Sequence, residues 1–122
     1  MAGNVTFVWT YALPEGRFEE WDAAIRDMVD VVKANVPRLV SFDVYVNEER
    51  SEATSIYVHP DAESFAEHMR VAATRVDAGA QMVSVVRIDV YGDPGEQNVA
   101  RLHQVSEASN HFPISVKSHY YS

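Results

Sequence analysis

The side chain in this sequence best suited to moving a proton is His68, in the run Ser64-Phe65-Ala66-Glu67-His68-Met69. An unperturbed imidazole titrates near neutrality, so it can take or release a proton at physiological pH. Around it Ala62, Phe65, Met69, Ala72, Ala73 and Val76 recur at spacings of three and four, the stripe of an amphipathic helix. At about 100° per residue His68 falls beside that stripe, at the edge of the apolar face. From there it can reach a cleft between helix and sheet as a base. It can equally well hydrogen-bond a neighbour and hold packing.

The other ionisable groups say less. His59 together with His68, Asp61, Glu63 and Glu67 raises the question of a metal site. His59 closes a strand, Glu63 and Glu67 point away from the apolar stripe, and no HExxH or facial-triad spacing exists, so no metal is expected. His103, His111 and His119 fall in a polar C-terminal segment without recognisable partners. The chain has no cysteine, which excludes disulfides, thiolate nucleophiles and cysteine-based metal sites.

These residues sit in a chain of 122, enough for one domain with a real core. Lys and Arg number 10 against 18 Asp and Glu, a net charge of −8. That repels phosphate backbones and anionic lipid, so neither nucleic acid nor membrane is an expected partner. No apolar run approaches the ~20 residues of a membrane span, and the N-terminus lacks a basic flank and an apolar core; a cytoplasmic protein is expected.

The elements that must position His68 read in order. Val5 to Ala12 is β-branched and aromatic, a strand with Val5, Phe7, Trp9 and Tyr11 on one face. Leu13-Pro14-Glu15-Gly16 breaks it. From Arg17 to Asn35 the period becomes helical through Phe18, Trp21, Ile25, Met28, Val29 and Val32. Acidic residues crowd its start and Lys33 lies in its last turn, the order the helix dipole favours. Leu39 to Asn47 alternates as a half-buried strand, with Tyr45 on its polar face. After the charged loop to Glu52, Ala53 to His59 returns as a hairpin partner. Pro60 and Asp61 start the helix of His68, Asp61 as its cap and Gly79 as its C-terminal stop. Met82 to Tyr91 is a fourth strand, apolar at Val83 and Val85 on one face and at Val86, Ile88 and Val90 on the other. Gly92-Asp93-Pro94-Gly95 closes it. Glu96 to Ala108 reads as a short helix and Ile114 to Tyr121 as a last strand.

The order β-α-β-β-α-β is the split βαβ, ferredoxin-like arrangement: an α+β fold with a four-stranded antiparallel sheet and two helices on one face. The core spans 5–92, and 93–122 extends the single domain. Strands one and four carry apolar residues on both sides, and two helices cover only one. An apolar sheet face of that size is disfavoured in a soluble monomer. A homodimer that buries it is therefore expected, the alternative being a tail that folds back over it.

Tyr57-Val58-His59-Pro60-Asp61-Ala62-Glu63-Ser64-Phe65-Ala66-Glu67-His68, with the strand exit Val90-Tyr91-Gly92-Asp93-Pro94, resembles the antibiotic biosynthesis monooxygenase-like family. The resemblance covers roughly 5–92 and implies a dimeric α/β barrel. Enzymes of that family oxygenate electron-rich aromatics such as anthrones and quinols without metal or flavin, so no cofactor is implied. It further implies His68 as catalytic base and Trp9, Tyr11, Tyr45, Tyr57 and Phe65 as residues against a small aromatic substrate. Each of these aromatics is also an ordinary core residue for a central strand or a helix face. The alternative function is a non-catalytic small-molecule-binding or structural dimer on the same scaffold. A phosphate-cradling loop, a basic aromatic RNA surface and copper-binding cysteines, which other users of this fold need, are absent.

Overall fold

A computed structural model describes residues 3–74 and 83–121. The strands are β1 (Val5–Ala12), β2 (Ser41–Val46), β3 (Glu52–His59), β4 (Ser84–Tyr91) and β5 (Ile114–Lys117); the helices are α1 (Phe18–Asn35), α2 (Ala62–Ala73) and α3 (Glu96–Glu107). The order along the sheet is β2-β3-β1-β4-β5. The first four strands pair antiparallel in the ferredoxin-like order, and β5 adds to β4 in parallel. The expected four-stranded sheet therefore has a fifth strand, supplied by the tail. Arg75, Val76, Gly79 and Met82, read as the end of the second helix and the start of the fourth strand, lie outside the described residues.

Pairing fixes which side chains share a face. Phe7 stands opposite Tyr57 and Val90, Trp9 opposite Ser55 and Ile88, and Val5 opposite His59. Phe42 of β2 pairs with Tyr57. These inward residues meet the stripe of α1 and the inner side of α2 in one core, with Phe7, Phe65, Ile88, Val90 and Leu102 fully buried. Phe7 and Phe65 stack at 3.8 Å between ring centroids. Buried aromatics of this kind bring large apolar area and dominate the energetics of a small core.

β4 does not alternate as its sequence suggests. The register with β1 shifts between Thr10 and Tyr11, so Val85, Ile88 and Val90 all face inward. Val86 is the extra residue of this β-bulge and is exposed. Arg87, Asp89 and Tyr91 then point to the other face, opposite Thr10, Val8 and Thr6. The outward side of β4 is thus more polar than a strict period of two implied. The outward strip that remains apolar is Val8 with Ile56 and Val58, half-buried on the two central strands.

The tail packs on the helical side. Leu102 of α3 is buried in the main core and Phe112 closes the same cluster. The Asn98 side chain donates to the Ala62 carbonyl at 2.9 Å and to the Pro94 carbonyl at 2.8 Å, tying α3 to the start of α2. Gly92 makes the exit from β4 possible: its φ is +112°, and a Cβ there would lie 2.9 Å from the Asn4 carbonyl oxygen. The Gly92 N–H donates to Lys117 at 2.8 Å, anchoring β5. The tail therefore leaves the opposite sheet face uncovered. Among the described residues no helix is long and apolar enough to cross a membrane.

Candidate functional site

The turn from β3 into α2 builds the site. β3 alternates, which places Ala53, Ser55, Tyr57 and His59 inward. Pro60 ends the strand. Asp61 caps α2 by accepting the Ser64 N–H at 2.9 Å, and Arg38 pairs with the same carboxylate, Nη2 to Oδ1 at 3.1 Å. The cap sets the phase of the first turn, so Ser64 and His68, four residues apart, point to the same inner side as His59.

A chain of polar groups results. Ser64 Oγ lies 2.7 Å from His59 Nδ1, and His59 Nε2 lies 3.0 Å from His68 Nδ1. All three side chains are buried. Donor accounting assigns the protons. With Ser64 O–H donating to His59 Nδ1, His59 Nε2–H donates to His68 Nδ1, and every group along the chain up to that nitrogen is satisfied. His68 then keeps its proton on Nε2, its remaining nitrogen. The reverse assignment would leave the Ser64 hydroxyl proton without an acceptor. At rest His68 is therefore a neutral hydrogen-bond donor, and it becomes a base only when the chain of protons is reversed.

Burial reinforces the neutral state. It lowers His68 to about 3, and a charge on His59 would lower it further. It lowers His59 to about 4, with Asp61 opposing and Arg38 adding to the effect. An imidazolium in this place needs an anion beside it.

His68 stacks on Tyr57 at 4.2 Å and faces Phe42 at 5.4 Å between centroids. These rings form one wall of an open cavity of about 910 Å³ between sheet and helices. Trp9, Tyr11, Tyr57 and His68 all line it. Tyr11 hydrogen-bonds Ser55 Oγ at 2.8 Å, and burial raises its phenol. Burial raises Tyr57 well above its ordinary value; the nearby Trp9 Nε1–H, outside hydrogen-bonding geometry, offsets this only in part. Trp9 Nε1 is buried and makes no hydrogen bond. An unmatched buried donor costs about 1–3 kcal/mol.

Two of the expected substrate contacts lie elsewhere. Tyr45 pairs with Thr54 on the outward face and is 59% exposed. Phe65 is fully buried beneath the site, stacked on Phe7. Two residues take a place at the site that the sequence does not assign them: His59, weighed there only as a metal ligand, and Ser64. His59 looked like a strand-end residue, yet its inward parity with Tyr57 and the five-residue step to Ser64 carry the signal. Ser64 looked like ordinary helix-start chemistry. Among the described residues no three His, Asp or Glu side chains stand together in a group that could hold a metal ion.

No family model matches the chain, and no curated protein does. Solved structures do. MupZ from Pseudomonas fluorescens superposes with a TM-score of 0.76 at 14% identity, over 98% of this chain and 93% of that one. A proposed antibiotic biosynthesis monooxygenase from Caulobacter crescentus CB15 gives 0.66 at 16%, over 73% of this chain and 88% of its own. SnoaB, a cofactor-independent oxygenase from Streptomyces nogalater, gives 0.63 at 15%, over 73% and 91%. At these identities the likeness is one of fold. The chain has the ferredoxin-like fold of structures named as antibiotic biosynthesis monooxygenases, as its strand-to-helix segment suggested.

Proposed function

We propose that this protein binds a small electron-rich aromatic, of quinol or anthrone type, and oxygenates it without a cofactor. The observation that carries the reading is one apolar cavity that joins Trp9, Tyr11 and Tyr57 to the available nitrogen of His68. Once the Ser64–His59–His68 chain reverses and frees Nε2 of His68, a phenolic substrate that gives its proton to that nitrogen becomes an easily oxidised anion, and that anion offsets the cost of the imidazolium. For an anthrone the balance is complete with O₂ alone. Two C–H bonds break, a C=O bond forms with one oxygen atom, and the other leaves as water. The tests are O₂ uptake and product analysis with a panel of hydroquinones and anthrones, comparing wild type with His68→Ala. Turnover that the variant loses supports the reading, and turnover that it retains removes His68.

A second reading draws on the resting protons. A neutral His68 that donates through Nε2 suits a binding site as well as a base, and a non-catalytic small-molecule-binding dimer needs nothing more. Ligand-dependent thermal shifts without product would favour it. In either case we place the protein in the cytoplasm as a homodimer, with the partner copy covering the half-buried Val8, Ile56 and Val58, which no helix among the described residues packs against.

A further inference from the structure

The chain is strongly acidic, and most of its basic side chains are spoken for. Arg17, Arg26, Arg38, Arg50, Arg87 and Lys117 each stand against a carboxylate. Arg70 of α2 and Arg101 of α3 make no ion pair with any described residue. Both line the cavity, and both are exposed, so they stand where it meets solvent. They come from different helices and border one cavity whose surface is mostly apolar. Lys33, also without an ion pair there, ends α1 and does not border the cavity.

We infer that Arg70 and Arg101 form an anion clamp at the mouth of the cavity, and that the ligand is amphipathic: an aromatic body against Tyr57 and His68, and a carboxylate-class head between the two arginines. This rests on reading the cavity as a ligand site, and it narrows the substrate class within that reading. Guanidinium groups match a carboxylate in shape as well as charge. Asp27 of α1 borders the same cavity and has an interaction of its own. A carboxylate nearby opposes a dianion more than a monoanion, which favours a carboxylate head over a phosphate. A neutral aromatic would leave both arginines without a role.

The test is calorimetric titration of wild type with hydroxynaphthoate and with its methyl ester, repeated for Arg70→Gln, Arg101→Gln and the double variant. Since the clamp is partly solvated, the acid should bind roughly ten-fold tighter than the ester. Each single variant should lose part of that preference and the double variant all of it, with affinity for the ester unchanged. Added salt should weaken the acid alone. Circular dichroism would show that the surface variants remain folded. Equal binding of acid and ester, a preference that survives in the double variant, or no binding of either probe overturns the inference. The readout is independent of turnover. A clamp confirmed in a protein that consumes no O₂ would sink the oxygenase reading and leave the anion site standing.

Discussion

His59 Nε2 and His68 Nδ1 face each other at 3.0 Å across the junction of β3 and α2, and Ser64 terminates the chain of contacts on the far side of His59. Because only one proton can lie between the two rings, Ser64 decides which nitrogen of His68 carries hydrogen. The expected outcome is visible by ¹⁵N NMR at neutral pH: both rings neutral, His59 and His68 each protonated on Nε2. In Ser64→Ala the preference should weaken, with Nδ1–H forms appearing on both rings. An unchanged pattern in the variant would contradict the relay.

The same two rings make the fold sensitive to acid. Their folded values, about 3 and about 4, lie below the ordinary 6.5. Between those limits the unfolded chain binds more protons than the native one, so stability is complete above about pH 6.5 and falls as pH drops toward the folded values. Melting temperature should decline steadily from pH 6.5 to 4.5, by an amount worth a few kcal/mol. A His59→Gln/His68→Gln double variant should show a flatter profile. A slope identical to wild type would show that other groups govern the acid response.

Asp61 does two jobs of unequal weight. Its side chain holds a backbone N–H at the helix start, whereas its exposed pair with Arg38 is screened by solvent. Asp61→Ala should therefore lower the chemical-denaturation midpoint clearly, while Arg38→Gln should move it much less. Equal losses would mean that the ion pair, not the cap, holds the start of α2.

The uncovered strip of Val8, Ile56 and Val58 yields a simple measurement. Sedimentation at micromolar concentration should report a dimer, and Ile56→Lys should convert it to a folded monomer with little change in circular dichroism. A wild type that sediments as a monomer removes the case for a second copy on that face.

The frame of the molecule was legible because its signals are local. Period and punctuation marked each strand and helix, and Asp61 was readable as a cap from its place after Pro60. What was hidden depended on contacts between distant segments. The bulge at Val86 is invisible in a strand of alternating valines until β1 fixes the register, and it turned an apparently two-faced apolar strand into one with a charged outer side. Tyr45 and Trp9 look alike as strand aromatics, yet only parity relative to the helices separates an exposed ring from a cavity wall. Parity places His59 inward with Tyr57, but that its ring meets His68 depends on the turn at Pro60 and Asp61, which joins the two elements.

The segment beyond Gly92 has a consequence for how such a scaffold diversifies. Arg101, Val105, Ser109, Asn110 and Phe112 furnish one side of the chamber. MupZ matches nearly the whole chain, while the shorter matches span about three quarters of it, close to the share that precedes this appendage. Without it the chamber that Trp9, Tyr57 and His68 line would lose that side. Because Leu102 and Phe112 of the same segment also close the main core, a change there reshapes the chamber and its foundations together.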